Sequence, residues 1–129
     1  MLAITTTAEC ASELCADRQF AGRIVVAPVN SRNSVTIADE EKAVSDLELI
    51  LDNEDKSHRR LHVDKAYHSP QMQACVESYM ALLEHCGITL QMPGSQQPIW
   101  FSSAYDKPVE PHTMALHGTY WADNMIQPV

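Results

Sequence analysis

Glycine is scarce in this chain, with four in 129 residues. Backbone cradles for phosphate need clustered glycines, and neither a GxGxxG nor a GxxxxGK[ST] pattern is present. There is no GxSxG elbow either, so no serine stands on the strained strand-to-helix turn that exposes a nucleophile. Basic residues are few: 9 Lys and Arg against 17 Asp and Glu leave a net charge of −8. That balance argues against unassisted nucleic-acid binding, which needs a basic face, and against an anionic membrane surface. No apolar run approaches the roughly 18 residues of a spanning helix. Met1-Leu2-Ala3-Ile4-Thr5 has no basic stretch ahead of an apolar core, unlike a secretory signal, so a cytoplasmic setting is expected. The four cysteines, Cys10, Cys15, Cys75 and Cys86, form no CxxC pair and lack zinc-ligand spacing. They read as reduced thiols, with Cys15, Cys75 and Cys86 on apolar helix faces.

What is present suits one globular domain. Hydrophobic residues make up 45% and charged residues 20%, enough apolar material for a core without a membrane segment. Leu2 to Thr5 reads as a short strand. Thr6-Thr7-Ala8-Glu9 has the form of a capping box opening a helix to about Asp17, with Ala8, Ala11, Leu14 and Cys15 on one side. After Gly22, Ile24 to Val29 is continuous and β-branched, as in a buried strand. Asn30 to Asn33 is a turn by composition, and Ser34 to Ala38 returns as the second arm of a hairpin. Asp39 is placed to cap a helix whose Ala43, Val44, Leu47, Ile50 and Leu51 form one stripe. Asp52 to Ser57 is a charged loop, and Leu61 and Val63, alternating with His62 and Asp64, read as a fourth strand. The order β-α-β-β-α-β is that of a ferredoxin-like unit, and the fold class is α+β.

Ser69-Pro70 then opens a further helix, serine as cap and proline in the first turn. Met72, Cys75, Val76, Tyr79, Leu82, Leu83 and Cys86 form its apolar face, and Gly87 ends it. Ile99 to Phe101 reads as a strand, Tyr105 to Pro111 as a loop, and Tyr120-Trp121 as part of a last short helix or turn.

Of the six histidines, His68 stands out. It falls at the junction of a strand and a capped helix, where rigid elements position reactive groups. By position alone, a histidine there is more often structural than catalytic. His58 and His62, placed on a strand, lack the helical arrangement of a metal pair, and no metal site is expected. His85, His112 and His117 lie in polar surroundings.

Three stretches resemble a known family. Val26-Ala27-Pro28-Val29-Asn30-Ser31, with Ser34-Val35-Thr36 after it, is similar to a hairpin of malonyl-CoA:acyl carrier protein transacylases and of polyketide synthase acyltransferase domains. Arg59 to Met72 closely resembles their segment ending in an xAxH tetrapeptide, here Lys65-Ala66-Tyr67-His68, followed by serine. Tyr120-Trp121-Ala122-Asp123-Asn124, with Pro128-Val129 after it, is the third. The style is closest to iterative, reducing synthases. The resemblance implies a ferredoxin-like small subdomain over residues 1–68. It also implies a return over 69–129 to part of a large α/β-hydrolase-like subdomain.

The resemblance also implies a ping-pong transfer. A serine takes a malonyl unit from coenzyme A and passes it to the phosphopantetheine thiol of an acyl carrier protein, with a histidine moving the proton. His68 matches that histidine, and Asn124 matches the residue whose backbone carbonyl holds the ring. Tyr67, with Ala66, is expected to shape the acyl pocket for malonyl. Lys65 departs from the usual first residue of the tetrapeptide. Asn30 and Ser31 are expected at the mouth of the site. Lys56, Arg59 and Arg60 are the candidate patch for docking an acidic carrier protein. No resident cofactor is implied. The serine elbow and an arginine for the malonyl carboxylate would lie before Met1, so the isolated chain is expected to be inactive. Its partners would be the missing half of the large subdomain, neighbouring synthase domains and the carrier. Apolar surface meant for the missing half predicts self-association. The alternatives are a non-catalytic ferredoxin-like remnant acting as an interaction module and, further off, a small hydrolase using another serine.

Overall fold

The computed structural model describes residues 1–89, 99–109 and 118–129. Its first half contains β1 (Leu2–Ile4), α1 (Ala8–Ala16), β2 (Ile24–Ser31), β3 (Ser34–Asp39), α2 (Glu41–Asn53) and β4 (His58–Arg60). The strands form one sheet in the order β2-β3-β1-β4, and every neighbouring pair is antiparallel. Alternation along the strands decides what each face buries. Leu2, Ile4, Val35 and Ile37 join Ala11, Phe20, Ala43, Val44, Leu47 and Leu51 in the main core, so α1 and α2 cover one face. The stripe read along α2 is the stripe that is buried, apart from Ile50, which is only partly covered. On the other face, Ala27 and Ala38 pack with Ala66, a residue of the segment that leads to His68.

Four local expectations are corrected. The fourth strand is His58–Arg60 rather than Leu61 to Val63. β1 is three residues long, and its ladder pairs Ile4 with His58 and Leu2 with Arg60, so pairing stops there. Leu61 N–H still reaches the Met1 carbonyl at 3.0 Å, but Val63 N–H bonds back to the Leu61 carbonyl and the chain turns away. Asp39 does not cap α2: it ends β3 with a φ of 116°, and the helix starts after Glu40 without a side-chain cap. The Glu40 carboxylate is taken instead by Arg23, whose Nε and Nη2 each donate at 2.9 Å. The cap of α1 is Thr7, one residue later than Thr6; its Oγ1 accepts from Cys10 N–H at 3.3 Å. Ser69 does not cap either: its buried hydroxyl donates to the Ala66 carbonyl at 2.6 Å, and the chain opens as a 3-10 turn, Pro70–Cys75.

The hairpin is tighter than composition alone implies. β2 runs through Asn30 and Ser31, leaving Arg32 and Asn33 to turn between paired Ser31 and Ser34. The register shifts between Val26 and Val29, the stretch that holds Pro28, which has no N–H to give. Val29 N–H bonds to the carbonyl of Val129 at 2.6 Å, so the last residue is tied to the bulged strand.

The remainder contains α3 (Val76–His85), a small hairpin of β5 (Phe101–Ser102) and β6 (Lys107–Pro108), and α4 (Thr119–Ile126). The apolar face read from Met72 to Cys86 is only partly covered. Met72 is buried, α3 itself has no buried residue, and Leu82 and Cys86 are exposed. The expected strand at Ile99 begins at Phe101, and the expected loop from Tyr105 contains β6. His112 and His117 lie outside the described residues.

Candidate active site

His68 is half-buried and has a φ of 58°, in the left-handed region that histidine enters more readily than most side chains. Two contacts of its own and one bond between its neighbours define its place. Its backbone N–H donates to the Met125 carbonyl at 3.0 Å. Its ring Nδ1 lies 3.2 Å from the Gln127 carbonyl. Ser69 and Ala66, on either side, are buried and joined by their own hydrogen bond. A carbonyl can only accept, so Nδ1 carries the proton in this contact. The other nitrogen, Nε2, is then the basic one.

The carbonyl facing the ring belongs to Gln127, and the expectation of Asn124 is corrected. Asn124 lies inside α4, whereas Gln127 is its C-cap with φ −81° and ψ 146°. Leaving the helical conformation at Gln127 releases its carbonyl from the direction of the helix ladder. Pro128, which cannot continue a helix, is the signal that marks the cap. Met125, Gln127 and Ser69 are the residues of the site that the sequence reading missed.

The tail links the site to the sheet. Val129 is tied to Val29, and Gln127 to His68. Two residues of extended chain reach about 7 Å, so the bulge of β2 and the histidine lie on the same side of the molecule. Asn30 and Ser31 follow that bulge. Asn30 Nδ2 donates to Thr36 Oγ1 at 3.0 Å, satisfying a threonine that is almost fully buried. Ser31 Oγ accepts from Asn33 N–H in the turn. Ala66 packs on the sheet, while Tyr67 is 41% exposed beside His68.

The three expected docking cations fare differently. Lys56 pairs with Glu54 at 2.7 Å. Arg60 meets Glu48 at 3.2 Å and Glu41 at 3.9 Å. Arg59, exposed on the opposite side of β4, forms no ion pair among the described residues.

The hollows lie to the side of His68. One of about 580 Å³ is lined by Asp39, Arg60, His62, Lys65, Ala66 and Gln71, next to the tetrapeptide but without His68. Another, of about 670 Å³, lies between α3 and the start of α4 around Met80, Leu83, Ile88 and Gly118. Burial pushes the Cys15 thiol up to about 11, away from the thiolate form that a nucleophile needs. No group of three His, Cys, Asp or Glu residues among the described residues could hold a metal ion. No helix among them is long and apolar enough to cross a membrane.

No family model matches the chain. Solved structures do. The acyltransferase domain from module 8 of the salinomycin polyketide synthase superposes over 99% of this chain and 28% of its own, with a TM-score of 0.79 and 20% identity. A loading acyltransferase from the avermectin modular polyketide synthase gives a TM-score of 0.78 at 25% identity, over 99% of this chain and 39% of its own. Among curated proteins, the highly reducing polyketide synthase sthA of Phaeosphaeria nodorum is 48% identical over the whole chain. The hybrid PKS-NRPS synthetase pydA of an Acremonium species is 44% identical, again over the whole chain. The chain spans 4% and 3% of the lengths of these two relatives.

The fold is therefore that of an acyltransferase domain. The chain matches part of such a domain in a polyketide synthase, and its sequence relatives are highly reducing and hybrid synthases, which are large multidomain proteins.

Proposed function

We propose that this chain supplies the histidine-bearing part of an acyltransferase that moves a malonyl unit from coenzyme A to the phosphopantetheine thiol of an acyl carrier protein. In this reading residues 1–68 form the ferredoxin-like small subdomain, and 69–129 return to the large one. The antiparallel strand order β2-β3-β1-β4 supports the first part. The observation that carries the reading is the His68 ring held by the Gln127 carbonyl at Nδ1, which leaves Nε2 as the base.

The steps follow from that arrangement. A serine outside these residues attacks the malonyl thioester as Nε2 takes its proton, and coenzyme A leaves as the thiol on receiving that proton. In the second half Nε2 takes the proton of the phosphopantetheine thiol, which attacks the acyl-serine, and the serine regains its proton. Tyr67, exposed next to His68, narrows the acyl pocket against a branched unit. Asn30 and Ser31, on the bulged strand tied to the tail, border the entrance. Arg59 contributes to meeting the carrier.

The test joins the chain to the serine-bearing half of a related acyltransferase and measures malonyl transfer to a carrier protein. His68→Ala is expected to lower the rate by about 10²- to 10⁴-fold, the usual contribution of a general base. Transfer indifferent to His68 would leave the chain as a non-catalytic interaction module.

A further inference from the structure

The β5–β6 hairpin grips α4 at two points. Tyr120 Oη donates to the buried Ser102 Oγ at 3.2 Å, and Tyr105 Oη donates to Asp123 Oδ2 at 2.5 Å. Ser102 Oγ also accepts from the Tyr105 N–H at 3.2 Å, so both attachments share one node. Tyr120 and Asp123 are three residues apart and lie on the same face of the helix. A helix tethered at one point can swivel about its axis, whereas two tethers along one face set its rotation. Tyr105 also packs edge-on against Tyr120, with ring centroids 5.6 Å apart.

From Asp123 the bonds continue for one turn towards His68. The Asp123 carbonyl accepts Gln127 N–H at 2.8 Å. The Gln127 carbonyl faces the His68 ring at 3.2 Å. The Met125 carbonyl, on the same last turn, holds the His68 backbone. We infer that Tyr105 is a positioning residue for His68: anchored on Asp123, its phenol sets the rotation of α4, whose last carbonyls orient the imidazole. The inference rests on the acyl-transfer reading of His68 only for its catalytic consequence. The orientation of the ring can be read on its own. The phenol stays protonated throughout the working range, because the hydrogen bond to Asp123 holds it up to about 12.

The test uses the completed domain with ¹⁵N-labelled histidine, the His68 signals being assigned by their loss in His68→Gln. Tyr105→Phe removes one oxygen and keeps the ring against Tyr120. It is expected to give a several-fold larger share of the Nε2–H tautomer and a lower kcat for transfer at unchanged KM for malonyl-CoA. Asp123→Asn, with Tyr105 in place, keeps an acceptor for the phenol and should retain the wild-type ring signals and kcat. Asp123→Leu removes the acceptor and must reproduce the shift seen in Tyr105→Phe, which guards against a fault peculiar to one variant. Unchanged His68 ring signals in either Tyr105→Phe or Asp123→Leu would overturn the inference. If His68→Ala left transfer intact while the tautomer still shifted in Tyr105→Phe, the acyl-transfer reading would fail and the positioning role would stand.

Discussion

Gln71 donates its side-chain amide to the carboxylate of Asp39, joining the end of β3 to the 3-10 turn after His68. The bond links the sheet to the segment that presents the histidine. Burial, as the largest cause, pushes the Asp39 carboxyl above its ordinary value, and the Gln71 amide offsets part of that rise. A carboxyl raised in the folded state binds its proton more tightly there than in the unfolded chain. Stability therefore falls as pH rises from the unfolded value, about 3.9, through the folded one. Asp39→Asn removes the charge, keeps an oxygen for Gln71 and tolerates the φ of 116° at least as well. It is expected to be more stable than the wild type at neutral pH, with the gap closing towards pH 3. Thermal melts across that range check it, and a gap independent of pH would mean that the partly buried charge is not what costs stability.

How much of the molecule was legible follows from where the determinants lie. The α2 stripe was legible because Ala43, Val44, Leu47 and Leu51 meet the core through a period that one helix carries alone. β4 was not, since His58-Arg59-Arg60 is polar and becomes a strand only by pairing with β1, while the more strand-like Leu61 and Val63 have no ladder left to join. At the site, His68 could be singled out at its junction, but its carbonyl partner depended on where α4 ends. Asn124 was expected only from the resemblance, three residues short of Gln127, whose carbonyl the end of α4 turns towards the ring.

Leu47 tests the core directly. It is fully buried between α2 and the sheet, among Leu2, Val44 and Leu51. Leu47→Ala is expected to cost about 2–5 kcal/mol, the loss of transfer energy plus the cavity left behind. Denaturant titration of the completed domain measures it. A cost below about 1 kcal/mol would mean that the site collapses around the gap.

Of the three cations proposed to meet the carrier, Arg59 has no ion pair among the described residues, whereas Lys56 and Arg60 face carboxylates. Arg59→Glu is expected to raise the KM for the carrier protein, with kcat for the acylation half-reaction unchanged. The effect of one exposed charge is roughly 1 kcal/mol at most, about fivefold, and it should fade as salt shortens the Debye length. Lys56→Glu should do less, because its charge already faces Glu54. Equal effects from the two substitutions, or an effect insensitive to salt, would remove Arg59 from the docking surface.

Apolar side chains stand uncovered along the second half of the chain. Leu82 on α3 is 63% exposed, and Ile99, just before β5, is 82% exposed. Phe101 and Trp100 are exposed beside it. Apolar surface left in water drives association at about 25 cal/mol per Å² buried, so the chain by itself is expected to self-associate. Leu82→Lys and Ile99→Lys together should lower the mean mass seen by sedimentation without moving the melting temperature, since neither side chain belongs to the core. In the completed domain the same pair is expected to weaken the joining of the two halves, because these residues lie in the part read as returning to the large subdomain. A chain that sediments as a monomer without these substitutions would show that its apolar surface is too dispersed to drive association, and Leu82 would then be an ordinary exposed residue of α3.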